Sequence, residues 1–168
     1  IKEAQAVSTM NMSILITGET GVGKEVLAQS IHNLGRERHK FIAINCAAIP
    51  AELFESTLFG TVKGAYTGAV NNIGFVREAG EGTLFLDEFN SLTPLNQTKL
   101  LRVLQERCVR PVGSTKEFPV QCRLICASNE NLQTLLDEGR LRPDLYYRIS
   151  EYCLEIPPLR ERPEDIIS

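Results

Sequence analysis

A short apolar run, SILIT (Ser13 to Thr17), leads directly into the glycine-rich stretch GETGVGKE, and a helical pattern follows from Glu25 to Leu34. This order constrains the fold more than any other feature of the chain. Gly18, Gly23 and Lys24 match the spacing Gly-x-x-x-x-Gly-Lys, in which glycines let successive backbone N–H groups face one point and the next helix adds partial positive charge there. A strand handing over to a helix through such a turn belongs to a parallel sheet with helices on its faces. The rest of the pattern agrees. Phe41 to Ile44, Thr83 to Leu86 and Val120 to Ala127 read as buried strands and Glu151 to Ile156 as a fifth, while Leu95 to Arg107 carries Leu100, Leu101, Val103 and Leu104 at helical spacing. The expected class is α/β.

Two segments break the rhythm. Gly60 to Asn72, rich in Gly, Ala and Thr, predicts a projecting loop, and Val109 to Val120 predicts a hairpin inserted before the fourth strand. The ending PPLRERPEDIIS reads as the start of another helix after a Pro-rich turn. With 168 residues, 43% of them hydrophobic, one sizeable core is expected, so residues 1–168 read as a single domain.

Charge and composition exclude several functions. A net charge of -3 argues against an electrostatic grip of the whole domain on nucleic acid. No apolar run reaches membrane-spanning length, and the opening IKEAQAVSTM lacks the grammar of a secretion signal, so a cytoplasmic address without membrane contact is expected. Five dispersed cysteines (Cys46, Cys108, Cys122, Cys126, Cys153) read as free thiols. Cys122 and Cys126 fall on one face of their strand, as core residues rather than metal ligands. His32 and His39, flanking the polar NLGRER, are expected on solvated surface.

The loop Gly18, Glu19, Thr20, Gly21, Val22, Gly23, Lys24, Glu25 is the candidate phosphate site, with Lys24 reaching the outer phosphates of a nucleotide. The Ser or Thr that usually follows the Lys and holds Mg²⁺ is Glu25 here, a hard oxygen donor that would take the ion directly or through water. The stretch TLFLDEFN supplies the second half, because an apolar strand ending in Asp87 and Glu88 delivers two carboxylates to the carboxyl edge of the sheet. Asp87 would bind Mg²⁺ and Glu88 would orient the attacking water. Read alone, each half has a plainer meaning, a solvated Lys in a Gly-rich turn and an acidic helix start. Together they point to nucleoside triphosphate hydrolysis.

Several stretches, namely GETGVGKE, NCAAIP, ELFESTLFG, KGAYTGA, GTLFLDE, LLRVLQE, DLYYRI and PPLRER, give the chain a further resemblance over nearly its whole length. It resembles the central AAA+ domain of sigma-54-dependent transcription activators. The most specific stretch is GAYTGA, Gly64, Ala65, Tyr66, Thr67, Gly68 and Ala69, which in that family engages sigma-54; the usual form has Phe where this chain has Tyr66. The resemblance implies an AAA+ core built on a five-stranded parallel sheet, ATP with Mg²⁺, and assembly into a homo-oligomeric ring, usually hexameric, with ATP between neighbouring subunits. It implies action on the sigma-54 RNA polymerase holoenzyme, from closed to open promoter complex.

By the same resemblance, Asn45 would hold Glu88 in an inactive pose, Asn129 would sense the γ-phosphate with Ser128 in place of the frequent Thr, and Arg142 and Arg148 would reach the neighbouring subunit's site. As residues alone, the two asparagines are equally polar strand ends bonding local backbone, and the arginines a solvated pair. Thr57, Thr61 and Val62 depart from the acidic residues or His common in the family, so the base of the loop is expected to move differently. The helical lid reads as truncated or absent, and DNA binding is expected only through a domain outside this chain. Two alternatives stay open here: a nucleotide-binding but hydrolytically idle fragment, and an AAA+ remodelling factor with another protein partner.

Overall fold

The computed structural model describes residues 2–161, and in it five parallel strands form one sheet between two helical layers. In chain order the elements are α1 (Lys2–Ser8), β1 (Ile14–Thr17), α2 (Lys24–Arg36), β2 (Phe41–Asn45), α3 (Phe54–Phe59), α4 (Phe75–Glu78), β3 (Thr83–Asp87) and α5 (Pro94–Glu106). They continue with β4 (Cys108–Val109), β5 (Phe118–Pro119), β6 (Arg123–Ser128), α6 (Leu132–Asp137), α7 (Pro143–Ile149) and β7 (Tyr152–Glu155). The strand order is β2-β3-β6-β1-β7, so β6 sits between the two strands that carry the candidate phosphate and carboxylate motifs.

Period-two alternation divides the core between the two faces of the sheet. Ile14, Ile16, Phe85, Ile125 and Ala127 pack with α1 and α2 through Ala4, Val7, Ala28 and Ile31. Leu15, Leu84, Leu86, Leu124 and Cys126 face the other way, against Phe54, Leu58, Leu100, Leu104, Leu145 and Ile149 of α3, α5 and α7. Because both faces are covered, the strands read as continuous apolar runs, and each fully buried Leu or Ile contributes about 1.5–3 kcal/mol. Helix α5 starts where Thr93 Oγ1 accepts from Asn96 N–H at 3.2 Å with Pro94 at its first position, a cap of the kind that stabilises by about 1 kcal/mol.

The strands lie within three residues of their expected bounds, and the inserted hairpin is present, with Cys108 and Val109 paired antiparallel to Pro119 and Phe118. Val120 belongs with that hairpin, donating to Arg107 C=O at 2.9 Å, so the fourth long strand starts at Arg123 rather than Val120. The short helices α1, α3, α4, α6 and α7 go beyond the sequence reading; at four to seven residues they are too brief to show a period. Of the helix expected at the end, Leu159–Glu161 forms a single 3₁₀ turn, and the remainder lies outside the described residues.

One expectation is corrected. His32 is 2% exposed rather than solvated, because α2 turns it inward beneath the sheet, where Nδ1 meets Thr83 Oγ1 at 2.9 Å and Nε2 meets His39 C=O at 3.1 Å. Two ring nitrogens satisfied in this way let a polar side chain enter a core. His39 is exposed as expected. All five cysteines are free; Cys122 and Cys126 share one core face, and burial pushes the Cys122 thiol up to about 11.

Candidate functional site

The parallel register brings Thr17, Asn45, Asp87 and Ser128 to the same edge of the sheet. Leaving β1, the chain turns through Gly18–Gly23 before α2. Gly21 and Gly23 stand at φ 82° and 95°, and a Cβ at either meets nothing within 4 Å, so backbone conformation rather than space demands glycine there. Val22, packed in the core, anchors the loop from beneath.

Lys24 opens α2 and turns back into its own loop, where Nζ donates to Gly18 C=O and Glu19 C=O, both at 2.8 Å. Its side chain is buried. Burial lowers its pKa, while the charges of Asp87 and Glu88 oppose the shift and favour the ammonium form. A cavity of about 160 Å³ is lined by Thr20, Gly21, Gly23, Lys24, Glu25, Asp87, Glu88 and Asn129. Residues from three strand ends thus meet around one buried cation.

The carboxylate turn has an unusual backbone. Glu88 adopts φ 50°, ψ 43°, one of two non-glycine residues with positive φ among the described residues, a conformation costing about 1 kcal/mol. Contacts hold it there: Glu88 N–H donates to Asp87 Oδ1 at 2.9 Å, and Ser91 Oγ and N–H donate to Glu88 C=O at 2.7 and 3.0 Å. Cys46 lies behind the pair; its thiol is pushed up to about 12, first by burial and then by the two carboxylates, which keeps it protonated and inert.

The other expected site residues divide. Asn129 Nδ2 donates to Thr20 Oγ1 at 3.2 Å, bridging the end of β6 to the phosphate loop. Asn45 lies opposite Asp87 in the ladder, but its Oδ1 accepts from Ala47 N–H at 2.9 Å and caps the local turn. Arg142 and Arg148 do not line the cavity of their own chain. Arg142 pairs with Asp144 at 2.8 Å and donates to Thr98 Oγ1 at 3.2 Å, whereas Arg148 donates to Leu104 C=O at 3.0 Å. Among the described residues no cluster of three or more His, Cys, Asp or Glu is arranged to hold a metal.

Along the loop Gly64–Ala69, Tyr66 is half exposed while Ala69 is buried, and Val70 and Ile73 add exposed apolar surface. The neck of this loop is closed. Thr61 exchanges hydrogen bonds with Asn72 at 2.8 and 2.9 Å, while Val62 N–H donates to Val112 C=O and Val112 N–H to Gly60 C=O, binding the neck to the β4–β5 hairpin. At Gly74 a Cβ would lie 2.4 Å from Gly60 N, so the two sides of the neck cross too closely for any side chain. The sequence reading missed this union of loop and hairpin, and also missed Arg160, whose Nη1 donates to both Glu19 carboxylate oxygens at 2.9 Å. Neither contact leaves a periodic signal, since the partners are far apart in the chain.

The sigma-54 interaction domain model matches residues 1–155. The chain belongs to this family. Relatives of the sigma-54 interaction domain include the transcriptional activator RocR of Bacillus subtilis, 53% identical over 99% of the chain and 36% of RocR. GlrR of Escherichia coli is 48% identical over 99% of the chain and 38% of its own length, and XylR of Pseudomonas putida 54% identical over 92% and 28%. The chain therefore spans between about a quarter and two fifths of these relatives. NtrX from Brucella abortus, solved in complex with ATP, superposes with TM-score 0.90 at 36% identity, over 99% of this chain and 38% of that one. The S. cerevisiae Hsp104–ADP complex, at TM-score 0.69 and 22% identity, covers 99% of this chain and 26% of its own and shares the fold alone. The fold is that of AAA+ P-loop NTPases.

Proposed function

We propose that this domain binds ATP with Mg²⁺ at the Lys24 cavity, hydrolyses it, and uses the cycle to take a sigma-54 RNA polymerase holoenzyme from closed to open promoter complex in the cytoplasm. The observation that carries the reading is the meeting of Lys24, Asp87, Glu88 and Asn129 around one cavity at the carboxyl edge of the sheet of a sigma-54 interaction domain. The ATP complex of NtrX supports the choice of nucleotide.

The residues fit such a ligand. Gly21 and Gly23 free the loop backbone to face phosphates, and Lys24 keeps its charge against them beside the start of α2. Asp87 and Glu25 would offer hard oxygens to Mg²⁺, which when bound would neutralise phosphate charge. Glu88 accepts a hydrogen bond from water and orients it in line with the γ-phosphate. Asn129, already on Thr20, reports the state of the phosphate loop to β6. Asn45 restrains Glu88 in one nucleotide state, which requires it to leave Ala47 N–H.

The subunits assemble as a ring, a hexamer by family resemblance, in which Arg142 and Arg148 place permanent positive charge on the neighbour's phosphates. The tip Gly64–Ala69 engages sigma-54, and a separate domain of the protein holds DNA. The test is a paired assay of ATP binding and turnover on the intact protein. Glu88→Gln is expected to keep ATP bound while slowing hydrolysis by about 10²-fold or more, and Lys24→Ala to lose binding itself. Normal turnover by Glu88→Gln would remove it as the water-orienting carboxylate.

A further inference from the structure

Beyond Leu86 and Cys126 the ladder between β3 and β6 ends, and among the described residues no backbone hydrogen bond ties the Glu88 turn to the Asn129 loop. Side chains bridge the gap. Asn90 Nδ2 donates to Glu130 Oε1 at 2.7 Å, and Arg140 grips the same carboxylate with Nη1 to Oε2 at 2.8 Å and Nη2 to Oε1 at 2.9 Å. The Glu130 backbone is fixed as well, because its N–H donates to Ser128 Oγ at 3.2 Å and its C=O accepts from that hydroxyl at 3.0 Å. A second tie runs through the buried Gln97, whose Nε2 donates to Leu92 C=O at 3.0 Å and to Arg140 C=O at 2.7 Å.

We propose that Asn90, Glu130 and Arg140 form a positioning bridge that holds the Glu88 turn in register with Asn129 for hydrolysis. The proposal rests on the roles assigned above to Glu88 and Asn129. Glu88 occupies a backbone region that persists only when its surroundings over-determine it, and Asn90, two residues on, is a side-chain anchor of that turn outside the turn itself. Arg140 and Asn90 together hold the Glu130 carboxyl below the ordinary carboxylate range, so it accepts from both at neutral pH.

The buried oxygen of Asn90 offsets the stability that its bond to Glu130 brings. That oxygen, Oδ1, has no hydrogen-bond partner among the described residues, a cost that Ala at this position would not carry. Glu130 and Arg140 are substantially solvent-exposed, where an ion pair adds little to folding. What the bridge gains is geometry: it joins the two loops whose side chains face one cavity, where small misplacements have large effects on rate.

The experiment measures ATP hydrolysis and thermal unfolding of the intact protein for Asn90→Ala, Glu130→Ala, Glu130→Gln and the Asn90→Ala/Glu130→Ala double variant. Asn90→Ala is expected to lower kcat by about tenfold with KM within about twofold, while its unfolding temperature holds or rises. The double variant should lose no more than either alanine variant alone, and Glu130→Gln, which keeps an acceptor for Asn90, should lose less than Glu130→Ala. In a Glu88→Gln background, Asn90→Ala should cost nothing further. Full kcat in Asn90→Ala, or losses that multiply in the double variant, would overturn the bridge. If Glu88→Gln itself hydrolyses normally, the assignment of Glu88 falls first; if Glu88→Gln is inactive and Asn90→Ala is fully active, the bridge alone falls.

Discussion

Glu88 and Lys24 occupy conformations that their side chains alone would not choose. Glu88 holds a left-handed backbone so that its carboxylate faces the cavity, and Lys24 gives up hydration to sit inside its own loop. His32 shows the same principle away from the cavity, buried between Thr83 and His39 C=O. Burial lowers its pKa from the ordinary 6.5, outweighing the hydrogen bond to His39 that raises it. The unfolded chain therefore binds a proton that the folded chain refuses. The resulting stability is complete above pH 6.5 and is lost as pH falls from there toward the lowered folded value. Chemical denaturation across that range should show stability declining toward acid, with the decline reduced in His32→Gln; identical pH profiles for the two proteins would contradict it.

At the scale of elements, the loop neck and the hairpin are hydrogen-bonded to one another. Thr61 pairs with both Asn72 and Val112, and a Cβ on Gly113 would lie 2.5 Å from Ala65 Cβ, so the hairpin packs directly on the base of the Gly64–Ala69 tip. The departures Thr61 and Val62 sit in this clamp and bond through their backbones, with Thr61 buried and Val62 Cγ2 lying against Gly113. The tip residues Tyr66 and Thr67 do not line the Lys24 cavity. Thr67→Ala is accordingly expected to keep ATP hydrolysis within about twofold yet fail to form open complexes, with Tyr66→Ala behaving alike. ATPase rate and promoter opening measured on one preparation check this, and normal opening by both variants would deny the loop its coupling role.

Over the whole molecule, the chain's own expected arginines lie away from the cavity. Arg142 is held by Asp144 and Thr98 at the start of α7, and Arg148 by Leu104 C=O at its end, so neither reaches Lys24 within one chain. This placement is compatible with the proposed action across a subunit boundary. Arg142→Ala and Arg148→Ala should each retain ATP binding and lose hydrolysis, and mixing either with Lys24→Ala should restore turnover at sites that draw Lys24 from one chain and the arginine from another. Mixed oligomers shown to co-assemble without recovering any activity would return the arginines to a role within their own subunit.

Local chemistry was legible in the sequence wherever one segment carried all of it. SILIT followed by GETGVGKE fixed a strand, a glycine turn and a helix, because backbone freedom and hydrophobic period are properties of adjacent residues. TLFLDE located its two carboxylates at a strand end for the same reason. Tertiary structure decided what depends on residues far apart in the chain. The strand order put β6 between β3 and β1, which is why Asn129 meets Thr20 and Glu130 meets Asn90. Burial of His32, the clamp between Thr61 and Val112, and the left-handed turn at Glu88 belong to that second class. Each is set by a partner at least a dozen residues away or by a backbone angle that a run of side-chain types does not encode.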